Sequence, residues 1–252
     1  MAFTHGPLGA RDLWLREGAR TSRFTFDPAD DLYAIWSPDG ARVVFRSNRK
    51  GTSDLYQKPA DGSGGEELLL QSADVKLPDS WSPDGRFNLY NSSQNNGDLM
   101  VLPMTGGDRK QYPFLSRPFA EQQGVFSPDG KWVAYQSNES GRNEIYVRPF
   151  PGPGGQWQIS TGGGTSPRWR ADGKELYYLG PDSKLMAVAA SSSGATFIPG
   201  APEALFQTRI ALAVNRPNYD IARDGRFLIN TLLDDASSEP IHLLLNWRQP
   251  GR

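Results

Sequence analysis

The pentapeptide Trp-Ser-Pro-Asp-Gly stands at Trp36–Gly40 and again at Trp81–Gly85, and Phe-Ser-Pro-Asp-Gly spans Phe126–Gly130. Two looser copies follow, Trp-Arg-Ala-Asp-Gly at Trp169–Gly173 and Ile-Ala-Arg-Asp-Gly at Ile221–Gly225. The closing glycines are spaced 45, 45, 43 and 52 residues apart. A period near 45 fits a propeller blade of four strands or a repeat of two helices. Each glycine opens a short stretch, "ARVVFRS", "RFNLYNS", "KWVAYQS", "KELYYLG" and "RFLINTL". These are rich in Val, Phe, Tyr and Leu and too short for a helix. Further on come "DLYQKP", "DLMVLP" and "EIYVRPF", then "EELLL", "KQYPF" and "WQIS". Four short strands per unit, divided by Gly, Asn and Pro, predict an all-β propeller. No segment sustains the 3.6-residue period that the helical alternative needs.

A recurring aspartate invites reading as a set of ligands, but turn chemistry explains it better. Pro presets φ near −65°, Asp bonds to nearby backbone amides, and Gly accepts positive φ in a tight bulged hairpin. The pentapeptide therefore joins the innermost strand of each blade to the second, and its leading aromatic is expected to pack between blades. The propeller is predicted to span residues 12–247, with repeats starting near 33, 78, 123, 166 and 218. Residues 1–11 read as a frayed terminus and 248–252 as a tail.

Strand counting leaves the ring's closure open. Four units supply four strands each, and the last supplies three, "NYDIA", "RFLIN" and "IHLLLNW". Before the first unit, "DLWL" (Asp12–Leu15) and "RFTF" (Arg23–Phe26) match the outer two strands of a blade. Either the two ends of the chain share a blade and close a five-blade ring, or the chain is part of a ring of six or seven blades. The outer-strand match tips the balance to the second.

The repeats "WSPDGARVVFRSNRKGTSDLYQKP" and "FSPDGKWVAYQSNESGRNEIYVRP" resemble those of TolB-type, WD-like propellers, and the likeness extends from about Asp12 to Trp247. The later part, from "GGGTSPRWRADGKELYYLGPDSKLMAV" to "LLLNW", is similar to the C-terminal propeller segments that follow the kinase domain and membrane helix of some bacterial serine/threonine kinases. That second resemblance implies attachment to a signalling protein, and an extracytoplasmic location if so. It implies no catalysis.

Composition removes several function classes. With 27 basic and 28 acidic residues, net charge −1, the chain offers no electrostatic case for nucleic acid. It has no cysteine, which excludes disulfides, thiolate metal sites and cysteine nucleophiles. Charges at Arg11, Asp12, Arg16 and Glu17 interrupt the N-terminal stretch, so no signal peptide is expected, and no apolar run is long enough for a membrane helix. A monomer is expected.

The search for chemistry yields no catalytic candidate. The Gly-x-Ser-x-Gly nucleophile elbow and the kinase motifs do not occur. "GPGG" (Gly152–Gly155) and "GGG" (Gly162–Gly164) are not followed by helical sequence and read as turns, not phosphate cradles. Of the two histidines, His5 lies near the terminus and His242 in an apolar strand, so a histidine metal centre is not expected. Asp74, Asp79, Glu121 and Asp220 lie near inner-strand starts, where oxygen ligands suffice for calcium or magnesium, but solvated loop acids are the simpler reading. No cofactor is expected.

Connections that enter inner strands rim one mouth of the channel. They carry Lys76, Arg117, Glu121, Gln122, Arg168, Arg216, Asn218 and Tyr219. An arginine-bearing mixed ring suits a protein or peptide ligand, because guanidinium holds carboxylate with two hydrogen bonds. The function expected is thus a non-catalytic binding propeller within a larger bacterial signalling protein. Two alternatives stay open. A propeller hydrolase or lyase would need at least two inward carboxylates within metal-ligand reach, and a TolB-like periplasmic assembly protein would need export.

Overall fold

The Ser-Pro-Asp-Gly corners fold as their chemistry predicts. In the first, Ser37 Oγ donates to Asp39 Oδ1 at 2.5 Å, the Ala41 amide donates to the same oxygen at 2.9 Å, and Gly40 N bonds Ser37 O at 2.9 Å. The arrangement repeats at Ser82–Asp84 and Ser127–Asp129, with Oγ–Oδ1 distances of 2.6 Å in both. In the fourth copy Arg170 replaces the serine and grips Asp172 through two nitrogens at 2.9 and 2.6 Å. Gly40, Gly85 and Gly130 hold φ of 72°, 75° and 70°, a conformation that costs any residue with a Cβ. The aspartates are therefore spent on backbone amides inside their own turns.

The computed structural model describes residues 1–93, 97–107, 109–210 and 219–231. These contain β1 (Ala2–His5), β2 (Asp12–Glu17), β3 (Arg20–Arg23), β4 (Asp31–Trp36), β5 (Arg42–Lys50), β6 (Thr52–Pro59) and β7 (Glu67–Leu70). There follow β8 (Lys76–Trp81), β9 (Phe87–Ser92), β10 (Asp98–Pro103), β11 (Tyr112–Leu115), β12 (Glu121–Phe126), β13 (Trp132–Ser137), β14 (Glu144–Pro149) and β15 (Trp157–Gln158). The last are β16 (Thr165–Trp169), β17 (Glu175–Leu179), β18 (Lys184–Ser193), β19 (Thr196–Pro199), β20 (Glu203–Gln207), β21 (Tyr219–Ile221) and β22 (Phe227–Ile229). No helix occurs among the described residues.

The chain divides into two compact units, Met1–Glu121 and Gln122–Arg252. The first holds the antiparallel sheets β1-β2-β3, β4-β5-β6-β7 and β8-β9-β10-β11. The second holds β12-β13-β14-β15, a sheet of β16-β17-β18 with β19 and β20 both on β18, and the pair β21-β22; β12 begins at the boundary residue.

Strand periodicity explains why the sheets stack face to face within each unit. On β5, Val43 and Phe45 enter a cluster with Leu13 and Tyr56, while Val44 between them enters another with Tyr90 and Leu102. On β17, Leu176 and Tyr178 join Trp132 and Val188, while Tyr177 and Leu179 join Tyr219 and Phe227. Successive side chains point to opposite faces, so a sheet with apolar residues at both parities must be covered on both sides.

Three details differ from the sequence expectation or extend it. Ala2–His5, expected to be frayed, forms β1, because its backbone pairs in register with Asp12–Leu15 of β2. The strand expected at Arg23–Phe26 instead ends at Arg23, and Phe24 N and Thr25 N share Leu13 O at 2.8 and 3.3 Å. The 52-residue interval has a cause: β18 overruns its partner β20 and turns back as a hairpin with β19, adding residues inside that blade. The expected strand "IHLLLNW" lies outside the described residues.

Candidate functional site

The residue nine positions before the closing glycine opens β4, β8 and β12, and in all three it is charged and fully buried. Asp31, Lys76 and Glu121 are 0%, 1% and 0% exposed. Burial of a lone charge costs several kcal/mol, so each needs a partner. Asp31 accepts from Arg49 Nη2 at 3.0 and 3.1 Å. Lys76 Nζ donates to Asp54 Oδ1 at 2.9 Å, Asp74 O at 2.7 Å and Ser72 O at 3.3 Å, which uses all three of its protons. Glu121 Oε1 accepts from Arg117 Nε at 2.8 Å. Lys76, predicted as a mouth residue, thus lies inside the wall, whereas Arg117 is partly exposed and joined to Glu121.

Burial pushes the Glu121 carboxyl above its ordinary range, opposed by the charge and hydrogen bond of Arg117 and reinforced by nearby Asp98. Glu121 Oε2 is buried and has no hydrogen-bond partner among the described residues. Desolvation raises Asp31 in the same way, against Ser47 and Arg49. Among the described residues no group of three or more His, Cys, Asp or Glu side chains is placed to hold a metal ion. Asp74 instead accepts from Ser72 Oγ at 3.3 Å, and Asp220 accepts from the Ile221 amide at 2.9 Å.

In the second unit two of the predicted residues, Gln122 and Tyr219, are joined through the Gln136 side chain and the Ser166 backbone. Gln136 on β13 donates from Nε2 to Gln122 Oε1 at 3.2 Å, and its Oε1 accepts from Ser166 N at 3.4 Å. Tyr219 donates from its hydroxyl to Ser166 O at 2.8 Å. A hydrogen-bonded band therefore runs from β12 through β16 to β21, joining Gln122 to Tyr219. Tyr219 is buried, which pushes its hydroxyl pKa up, with the positive charge of Arg168 opposing. Arg168 is partly exposed, and its Nη1 donates to Pro167 O at 2.7 Å. Arg216 and Asn218 lie outside the described residues.

Backbone geometry marks the same strand heads. Tyr33, Gln123 and Ser166, each seven residues before a closing glycine, adopt φ of 58°, 55° and 56°. Register shifts accompany this position on β4, β8 and β16. Left-handed residues that are neither Gly nor Asn are uncommon, and bulges re-aim side chains at sheet rims. One signal for the band was present in the sequence. Six residues after the closing glycine, a polar side chain (Arg46, Asn91, Gln136) interrupts an apolar strand. In the first unit Asn91 Nδ2 likewise donates to Glu121 O at 2.7 Å.

Sheets covered on both faces and cornered by repeated Ser-Pro-Asp-Gly turns define a β-propeller of four-stranded blades. No protein-family model matches this chain. Among solved structures, TolB from Acinetobacter baumannii is similar over 92% of this chain and 58% of its own, with a TM-score of 0.74 and 18% identity. A puromycin-hydrolyzing peptidase from Mycobacterium tuberculosis is similar over 88% of this chain and 38% of its own, with a TM-score of 0.65 and 16% identity. An oligogalacturonate lyase in complex with manganese matches over 91% of this chain and 66% of its own, with a TM-score of 0.61 and 13% identity. The likeness establishes a TolB-like propeller fold, and the chain spans 58% of the length of the A. baumannii protein. One architecture serves a TolB, a peptidase and a lyase, so function has to come from the site.

Proposed function

We propose that the chain is a non-catalytic binding propeller that engages a protein or peptide segment at the inner-strand heads of its second unit, around Gln122 and Arg168. The observation that carries this reading is the hydrogen-bonded band Gln122–Gln136–Ser166–Tyr219. Its members are locked by partners on neighbouring strands, so little ordering cost is left for binding. Arg168 sits on the same strand as Ser166, with one edge anchored to Pro167 O. The charges that acid–base or metal chemistry would draw on are already committed. Lys76 holds Asp54, and Arg117 stands against Glu121 where a metal would have to compete with its guanidinium.

A larger bacterial signalling protein is the proposed setting, on the strength of the resemblance between residues 162–247 and kinase-linked propeller segments. A kinase domain and membrane helix encoded in frame upstream of Met1 support that setting; a nearby stop codon sinks it.

Panning a random peptide library against the full chain tests the binding reading. The expected result is enrichment of a shared motif whose affinity drops about tenfold in Arg168→Ala. Failure to enrich any motif, or a motif indifferent to Arg168, contradicts it.

A further inference from the structure

A cavity of about 280 Å³ opens in the second unit among three loops. One loop joins β13 to β14 and supplies Arg142 and Asn143; one leads into β16 with Gly162–Thr165; the third follows β17 with Leu179–Pro181. At ~30 Å³ per liquid water the space holds roughly nine waters, about the bulk of one or two amino-acid residues.

The walls differ in character. Gly163 and Gly164 present backbone alone, and the fold keeps them glycine. A Cβ on Gly164 would lie 2.6 Å from Ser160 Oγ and 2.9 Å from Ile145 Cγ1, and Gly163 holds φ at 101° against Pro181. Exposed Pro181 supplies the apolar side, while Leu179 closes the floor with its side chain turned into the core beside Tyr219 and Phe227. Arg142 supplies the charge, with a side chain 65% exposed and Nε 3.4 Å from Glu144 Oε1. Glu144 is itself immobilised: it is 1% exposed, its Oε1 accepts from Gly163 N at 2.8 Å, and its Oε2 accepts from Ser160 Oγ. The buried carboxylate stands beside the Nε edge of the guanidinium, while the two terminal nitrogens have no hydrogen-bond partner among the described residues.

We infer that this cavity binds the C-terminal carboxylate of a peptide, with the last side chain against Pro181. A guanidinium with two free terminal nitrogens matches a carboxylate bidentately. A peptide's last side chain can bury apolar surface against Pro181, which inorganic phosphate cannot. Backbone-only walls allow a ligand's main chain to approach closely. The inference rests on the peptide-binding reading above but uses a separate surface.

The test uses the full chain labelled with ¹⁵N-glycine, titrated with N-acetyl-Gly-Ala-Val as the free acid, the same peptide as C-terminal amide, and inorganic phosphate. The free acid is expected to shift the Gly162, Gly163, Gly164 and Gly180 signals with a Kd on the order of 1 mM, and the amide to bind at least about tenfold more weakly. Arg142→Ala should abolish the shifts, and Arg142→Lys, which keeps a cation beside buried Glu144, should weaken them. The acid–amide comparison needs no variant and stands if a substitution fails to fold. Equal binding of acid and amide, or phosphate binding as well as the acid, overturns the assignment. Shifts confined to other glycines overturn the cavity but leave the binding-propeller reading intact. Shifts here alongside a failed peptide panning overturn the inner-strand reading instead.

Discussion

Lys76 Nζ lies 2.9 Å from Asp54 Oδ1, an ion pair between side chains 1% and 0% exposed. It joins the first residue of one blade's inner strand to the third strand of the blade before. Removing one member of such a pair strands a buried charge, at a cost of about 3–5 kcal/mol. Lys76→Met should therefore destabilise the protein by roughly 3 kcal/mol in urea unfolding. Adding Asp54→Leu should restore much of the loss, because the orphaned carboxylate is gone. A single variant within ~0.5 kcal/mol of the parent would show that Lys76 is dispensable to the wall.

Glu121 makes stability pH-dependent in a defined direction. Burial raises its folded-state pKa above the ordinary value of 4.5, so the folded protein holds the proton more tightly than the unfolded chain. That contribution is complete below the ordinary value and is lost as pH rises through the raised one. Glu121→Gln, which cannot ionise, should therefore gain stability relative to the parent between about pH 4 and about pH 7. Urea unfolding at the two pH values reads the difference; a flat or opposite trend refutes the assignment.

Asn88 occupies a core position at odds with its repeat. It lies three residues after Gly85, where the other blades place Val43, Val133 and Leu176. Its side chain is fully buried, and neither amide atom has a partner among the described residues. An unsatisfied buried amide costs about 1–3 kcal/mol. Asn88→Val is thus expected to stabilise by ~1–2 kcal/mol and raise Tm in calorimetry. A loss of stability would mean that Asn88 has a role the repeat does not account for.

The architecture was legible because its signals are local. Ser37, Asp39 and Gly40 interact within five residues, so the corner chemistry can be read directly from the pentapeptide. Paired parities on β5 and β17 likewise follow from adjacent residues. The site was less legible because its contacts are distant. Lys76 looks like a rim charge until Asp54, 22 positions earlier, is seen beside it. Tyr219 and Ser166 are 53 residues apart. Left-handed backbone at Gln123 and Ser166 carries no residue signature, since neither is Gly or Asn. The acid at or near the head of the third strand, Asp54, Asp98 and Glu144, was readable in "DLYQKP", "DLMVLP" and "EIYVRPF", but the hydroxyl partners of Asp98 and Glu144 at Ser116 and Ser160 were not.

Hydrogen–deuterium exchange of the full chain, with and without the peptide enriched by panning, tests the central claim most directly. The account predicts added protection at Gln122–Gly124 and Thr165–Arg168, with β4 and β8 unchanged. Protection confined to other strands, or none at saturating peptide, would contradict a binding surface at the inner-strand heads of the second unit.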